Sequence, residues 1–258
     1  MLQAGVFVPA LVKSGYFPKI SFDYKNKDLV KVIKNMLPGL LGMGLLQFTT
    51  IINLRFSSSL PEGTISYIGY VDRLIELPLS LISVSLGTAL LPALSGLLAR
   101  NEEFKFSQTI RQYLELNMLL TMSAAAGLYV LAQPIVSLLF GRGRFLPDSV
   151  LATSGILKTY CWIMIFSSGV RVLTPAYYAI KNTWFPAVLS CVCLIVHILI
   201  APLLMARHQV YGLMVSTIIS ATLNLFLLLL FFRAMVANFE YLLFLKNIFI
   251  YSGLAVLT

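Results

Sequence analysis

Apolar residues run through this chain in blocks of membrane length, separated by short polar connections. A spanning helix needs about 20 predominantly apolar residues. The blocks predict spans near 36–60, 65–91, 114–140, 150–180, 184–205 and 210–232, with a seventh beginning near Leu242. Pro38 stands near the start of the first, and Pro78 lies inside the second. Pro92 marks where the second bends or ends, and Pro134 interrupts the third. Pro175 and Pro202 lie near the ends of the fourth and fifth. An interior proline removes a helix hydrogen bond and kinks the helix. The stretch ARNEEFKFSQTIRQY reads as a polar connection, and GRGRFLPDS as a loop. Before the first span, Lys13, Lys19, Lys25, Lys27, Lys31 and Lys34 alternate with apolar residues, which predicts an interfacial helix lying on the membrane.

Composition agrees with this pattern. Hydrophobic residues make up 59% of the chain and charged residues only 11%, with a mean hydropathy of +0.88. Soluble domains carry about 25% charged residues. The predicted fold is therefore all-α, a polytopic transmembrane bundle. Its expected organisation is a basic cytoplasmic or interfacial segment over 1–35, a six-span lobe over 36–240, and the start of a further, truncated span over 241–258. The opening MLQAGVFVPALV is too short for a span, holds Pro9, and shows no cleavable leader. It reads as the tail of an earlier helix, and the last residues stop inside an apolar run. Both ends predict a piece of a longer membrane protein.

Charge adds orientation. The net charge is +9, but the basic residues form no stripe among aromatics, so nucleic acid is not an expected partner. They gather in the connections. One side carries the early lysines, Arg100, Lys105, Arg111, Lys181, Arg233 and Lys246; the other carries Arg142, Arg144 and Arg207. The richer side is cytoplasmic by the positive-inside rule. Cys161, Cys191 and Cys193 all lie within spans, which excludes a disulfide framework. Cys191 and Cys193 point to different faces of a helix.

Asp72, Arg73 and Glu76 stand inside the second apolar block, in its outer half on this orientation. A charge at membrane depth costs roughly 2.5–3.5 kcal/mol on insertion scales. Such residues pair, face water, or bind something. Arg73 and Glu76 are three apart and Asp72 and Glu76 four apart, so all share one helix face. Either Arg73 is flanked by two carboxylates, or it faces a cavity while the carboxylates orient it. Arg171, in SSGVRVLTPAYYAIKN, is a second candidate, because its planar fork suits phosphate or carboxylate. Arg55, Lys158, Asn53 and Gln47 are further candidates to line the same cavity; Arg55 and Lys158 also lie where long side chains snorkel to an interface. His197 is read as a helix-packing polar residue, and Asn117 and Asn224 as helix-to-helix hydrogen-bonding groups. The sequence holds no nucleophile motif, zinc-protease motif, P-loop or paired CxxC. An enzyme, a metal site or a cofactor is not expected.

Several segments in order resemble the MurJ/MviN family of bacterial lipid II flippases, within the superfamily of multidrug, oligosaccharidyl-lipid and polysaccharide exporters. They are Tyr70-Val71-Asp72-Arg73-Leu74-Ile75-Glu76-Leu77-Pro78, Leu86-Gly87-Thr88-Ala89-Leu90-Leu91-Pro92-Ala93-Leu94-Ser95, Leu139-Phe140-Gly141-Arg142-Gly143-Arg144-Phe145 and Val170-Arg171-Val172-Leu173-Thr174-Pro175-Ala176-Tyr177-Tyr178-Ala179. The resemblance implies a MATE-like lobe in the bacterial inner membrane, working against an N-terminal lobe outside this chain. It implies lipid II as the partner, moved between leaflets by alternating access. Arg73 with Asp72, and Arg171, match basic and acidic cavity positions of the family. Two other readings stand beside it: an exporter of drugs or polysaccharide lipids, and a non-transporting membrane scaffold in which Arg73, Glu76 and Arg171 are paired against neighbouring helices.

Overall fold

The computed structural model describes residues 48–143 and 145–236, together with Lys13, Gly15 and Lys246. The expected interfacial helix, Gln47, Arg144 and the further span after 241 lie outside the described residues. Among the described residues every regular element is helical. Helix α1 covers 48–57 and is followed by α2 (Thr64–Leu79), a π-helix (Ser80–Val84), α3 (Ser85–Ala99), α4 (Glu103–Val130), α5 (Ala132–Phe140), α6 (Pro147–Tyr160), α7 (Ile163–Ala179) and α8 (Trp184–Met235).

Helix α1 ends where three serines turn back on it. Ser57, Ser58 and Ser59 donate their hydroxyls to the carbonyls of Asn53, Arg55 and Phe56 at 2.6, 2.7 and 2.7 Å. These are carbonyls that a helix end leaves without intrahelical partners. The run from α2 to α3 is continuous over 36 residues, Thr64–Ala99. At 1.5 Å per residue it is about 54 Å long, well beyond the hydrocarbon thickness. Of the two expectations at Pro92, a bend or an end, the helix does not end there: α3 passes through that proline to Ala99.

The polar stretch after it is not a loop either. Residues 103–113 form the first turns of α4, because Phe106, Ile110, Leu114 and Met118 recur at helical spacing and are buried. Only residues 100–102 connect the helices, with Asn101 in the left-handed conformation that ends helices (φ 57°). Helix α4 then breaks at Leu131 and α5 leaves at 73°. Pro134 explains the break: it has no N–H to offer the Val130 carbonyl, four residues back.

Helices α6 and α7 meet at 49° around Cys161 and Trp162. This bend carries no proline, and Pro175 lies inside α7 instead. Helix α8 holds one non-helical residue, Gln209 (φ 49°, ψ −127°). It divides α8 into two arms. Ser216 meets His197, Ser220 meets Cys193 and Asn224 meets Ser190. One partner rises as the other falls, so the arms run antiparallel as a hairpin. The expected boundary between 205 and 210 falls at this turn.

Among the described residues two helices are long and apolar enough to cross a membrane, or up to four if each bent pair is one span. Helix α7 packs against α3, α4 and α8. Two buried clusters hold the bundle. One joins Val71, Leu74 and Ile75 of α2 to Ile156, Leu157 and Tyr160 of α6. The other joins Leu90 and Leu94 of α3 to Ile110 and Leu114 of α4, Leu173 and Tyr177 of α7, and Leu228 and Phe232 of α8. Tyr177 donates its hydroxyl to the Leu228 carbonyl at 2.6 Å, which satisfies the one polar atom it takes into that cluster.

Candidate functional site

Helix α2 is two-faced at its charged turn. Ile68, Val71, Leu74, Ile75 and Leu79 are buried, and their spacing turns Asp72, Arg73 and Glu76 to the exposed side. Packing alone thus places all three charges on one open face.

Helix α7 brings Arg171 to that face. Its Nη1 donates to Glu76 Oε1 and its Nη2 to Oε2, both at 2.9 Å. This is a bidentate fork, the strongest form of the guanidinium–carboxylate contact. The pair is open rather than sealed, with 25% of the Arg171 side chain and 56% of the Glu76 side chain exposed. The expected neighbour pair does not form. Glu76 reaches across to α7, not back to Arg73, and among the described residues no ion pair engages Arg73. A bidentate contact between packed helices outcompetes an i,i+3 pair, which would need both long side chains bent along one helix surface.

The backbone around Arg171 is held closely. Pro175 lacks the N–H that would bond the Arg171 carbonyl. Gly87 of α3 sits directly against that carbonyl: a Cβ there would lie 2.9 Å from its oxygen and 3.6 Å from Pro175 Cγ. Gly87 therefore sets how closely α3 and α7 approach behind the arginine. On the other partner's side the helix loosens. Pro78 lies two residues after Glu76, and the Ser80 N–H is shared between the carbonyls of Glu76 and Leu77 where the π-helix begins. π-Turns of this kind recur at functional sites.

The remaining candidates separate. Asn53 is committed to packing: its Oδ1 lies 2.9 Å from His197 Nε2, and His197 Nδ1 lies 3.2 Å from Ser216 Oγ. His197 is 1% exposed, a packing residue as expected. Asn117 donates to Ser168 at 3.0 Å and Asn224 to Ser190 at 3.2 Å, again as expected. Arg55 and Lys158 are exposed. Among the described residues no three His, Cys, Asp or Glu side chains are grouped to hold a metal ion. Sequence reading missed Gly87 as a positioning residue and the Glu76 partner. The first stood only within the segment Leu86–Ser95 with no role of its own, and the second is 95 positions away.

Tyr67 and Tyr70 bind α2 to the end of α5 at Phe140 and to Phe145 in the loop after it. Tyr70 lies 4.6 Å from Phe140 and 5.5 Å from Phe145, ring centre to ring centre. Tyr67 is 6.3 Å from Phe145.

Kinked apolar helices with charges on one open face define a polytopic membrane protein of a kind that includes transporters. The fold matches that of a transporter of the multidrug, oligosaccharidyl-lipid and polysaccharide superfamily from Pyrococcus furiosus, with a TM-score of 0.69 and 11% identity over 88% of this chain and 51% of that one. It also matches a solved lipid II flippase MurJ in an inward closed conformation, with a TM-score of 0.75 and 23% identity over 98% of this chain and 51% of that one. The family model of lipid II flippase MurJ matches residues 1–257. A probable lipid II flippase MurJ of Bdellovibrio bacteriovorus is 47% identical over 229 residues, 89% of this chain and 44% of that protein. The chain belongs to the MurJ lipid II flippase family. It spans about half the length, or less, of these relatives.

Proposed function

We infer that this chain serves as one lobe of a lipid II flippase in the bacterial inner membrane. On this reading residues 36–240 form six spans, preceded by an interfacial segment over 1–35 and followed by the start of another span over 241–258. The lobe works against a second, N-terminal lobe, and the two rock to expose a shared cavity first to one leaflet and then to the other. The physical task is to carry a pyrophosphate–sugar headgroup across about 30 Å of hydrocarbon while the polyprenyl tail stays in lipid.

The observation that carries the reading is Arg73. It is an exposed guanidinium inside an apolar span, without an ion pair among the described residues. Its helix face also holds Asp72 and the Glu76–Arg171 contact. A cation left open at this depth costs energy that an anionic ligand recovers. Asp72 moderates the local field so that the site is not permanently saturated. Family membership favours this reading over export of drugs or polysaccharide lipids. The open Arg73 disfavours a scaffold, in which the charges would be fully paired.

The test is Arg73→Ala in the protein with its native flanking sequence. Insertion should persist while movement of a labelled lipid II between leaflets stops. Transport at the wild-type rate would remove Arg73 from the role.

A further inference from the structure

We propose that Glu76 is a built-in counter-ion for Arg171 which an incoming diphosphate displaces, so that the Glu76–Arg171 contact is an exchangeable clasp rather than a fixed strut. The inference rests on the flippase reading and adds to it a specificity-determining residue, Glu76.

Three features carry it. First, the contact occupies the same edge of the guanidinium that a phosphate oxygen pair would take, since both ligands present two oxygens to two parallel N–H groups. Arg171 cannot hold the carboxylate and a diphosphate on that edge together. Second, the pair is not sealed. More than half of the Glu76 side chain is exposed, so no packed side chain seals the fork, and a second anion can reach it from the open side. A sealed pair would lose several kcal/mol on opening, whereas a partly exposed one is worth little.

Third, the two partners are held unequally. The Arg171 backbone is backed by α3, where Gly87 lies directly against its carbonyl. The Glu76 backbone leads into Pro78 and the π-helix at Ser80–Val84, where the Ser80 N–H is shared between two carbonyls. The arginine stays and the glutamate leaves. With the clasp closed, an incoming anion must displace a carboxylate that already makes two contacts. A diphosphate brings a greater charge to that exchange than a monophosphate. The clasp thus sets a threshold that favours more highly charged headgroups.

The test compares wild type, Glu76→Gln, Arg171→Lys and the Glu76→Gln/Arg171→Lys double variant, all with native flanking sequence in lipid nanodiscs. Binding of polyprenyl diphosphate and of inorganic diphosphate is measured, and thermal unfolding of each variant is followed in parallel. Glu76→Gln should bind diphosphate about threefold to tenfold more tightly, as expected for removing a partly exposed competitor. It should also lose discrimination against inorganic monophosphate. The gain should shrink in the double variant, because Lys has no fork to release. A gain with the lipid-linked probe alone assigns the displacing group to a lipid headgroup; a gain with both assigns it to the diphosphate itself. Both support the clasp. Unchanged or weaker binding by a stably folded Glu76→Gln overturns it, as does a gain that persists in full in the double variant. Absence of lipid II transport by the wild-type protein with its native flanking sequence would instead strike the flippase reading and leave the Glu76 result standing.

Discussion

Arg171 and His197 show two ways of placing a polar side chain in an apolar span. His197 is buried and both ring nitrogens meet polar partners, Asn53 on α1 and Ser216 across the hairpin. Its value is structural. His197→Ala leaves two polar groups without their partner and should cost about 1–3 kcal/mol, read as a lower unfolding temperature in detergent. Arg171 is partly open, and its partner Glu76 more so. Asp72, Arg73, Glu76 and Arg171 were each legible as candidates, because charge in a membrane block is expensive wherever it falls. The Glu76–Arg171 pairing was not. A single helix offers only neighbours three and four residues away, and those made Arg73 the natural partner. Which helix packs against α2 is decided by tertiary structure, and no spacing in the sequence records it.

At the level of elements, hydropathy located the spans better than their ends. Residues 99–113 carry enough charge to read as a connection, yet Phe106 and Ile110 at a spacing of four make them helix. Counting charge hid the period. The break before Pro134 was legible, since a proline names the carbonyl it deprives. The bend at Cys161 and Trp162 had no such mark. Gly87 belongs to this scale, since it governs the separation of α3 and α7. Gly87→Ala would press a methyl group against the Arg171 carbonyl, which as backbone cannot swing aside. Overpacking of this kind costs about 1–3 kcal/mol. The expected outcome is a lower unfolding temperature, and diphosphate binding altered in the same variant because Arg171 moves with α7. A substitution at exposed Arg55 should shift stability by less than about 0.5 kcal/mol.

Across the described residues, large apolar side chains face outward as well as into the core. Leu81, Leu138 and Leu203 are 74%, 74% and 72% exposed, and both arms of α8 carry such residues along their length. An exterior of this kind is stable against lipid and costly against water. Ile195, exposed midway along the first arm, reports on it. Ile195→Arg should raise the cost of inserting that arm by roughly 2.5–3.5 kcal/mol, measured as loss of translocation in a glycosylation-mapping assay. Wild-type insertion would mean that this position does not sit at membrane depth. The all-α polytopic class was plain from block length and composition alone, because 11% charged residues is under half of the roughly 25% usual in soluble domains.

The open face of α2 and α7 has one more consequence. Two guanidiniums and two carboxylates cancel there, so the face carries no formal net charge. Moving one elementary charge through a 100 mV membrane potential involves about 2.3 kcal/mol of electrical work. A neutral wall contributes none of its own. On the proposed flippase reading, an anionic headgroup held against this face would bring the charge that feels the field, and outward from an inside-negative cell it would move downhill.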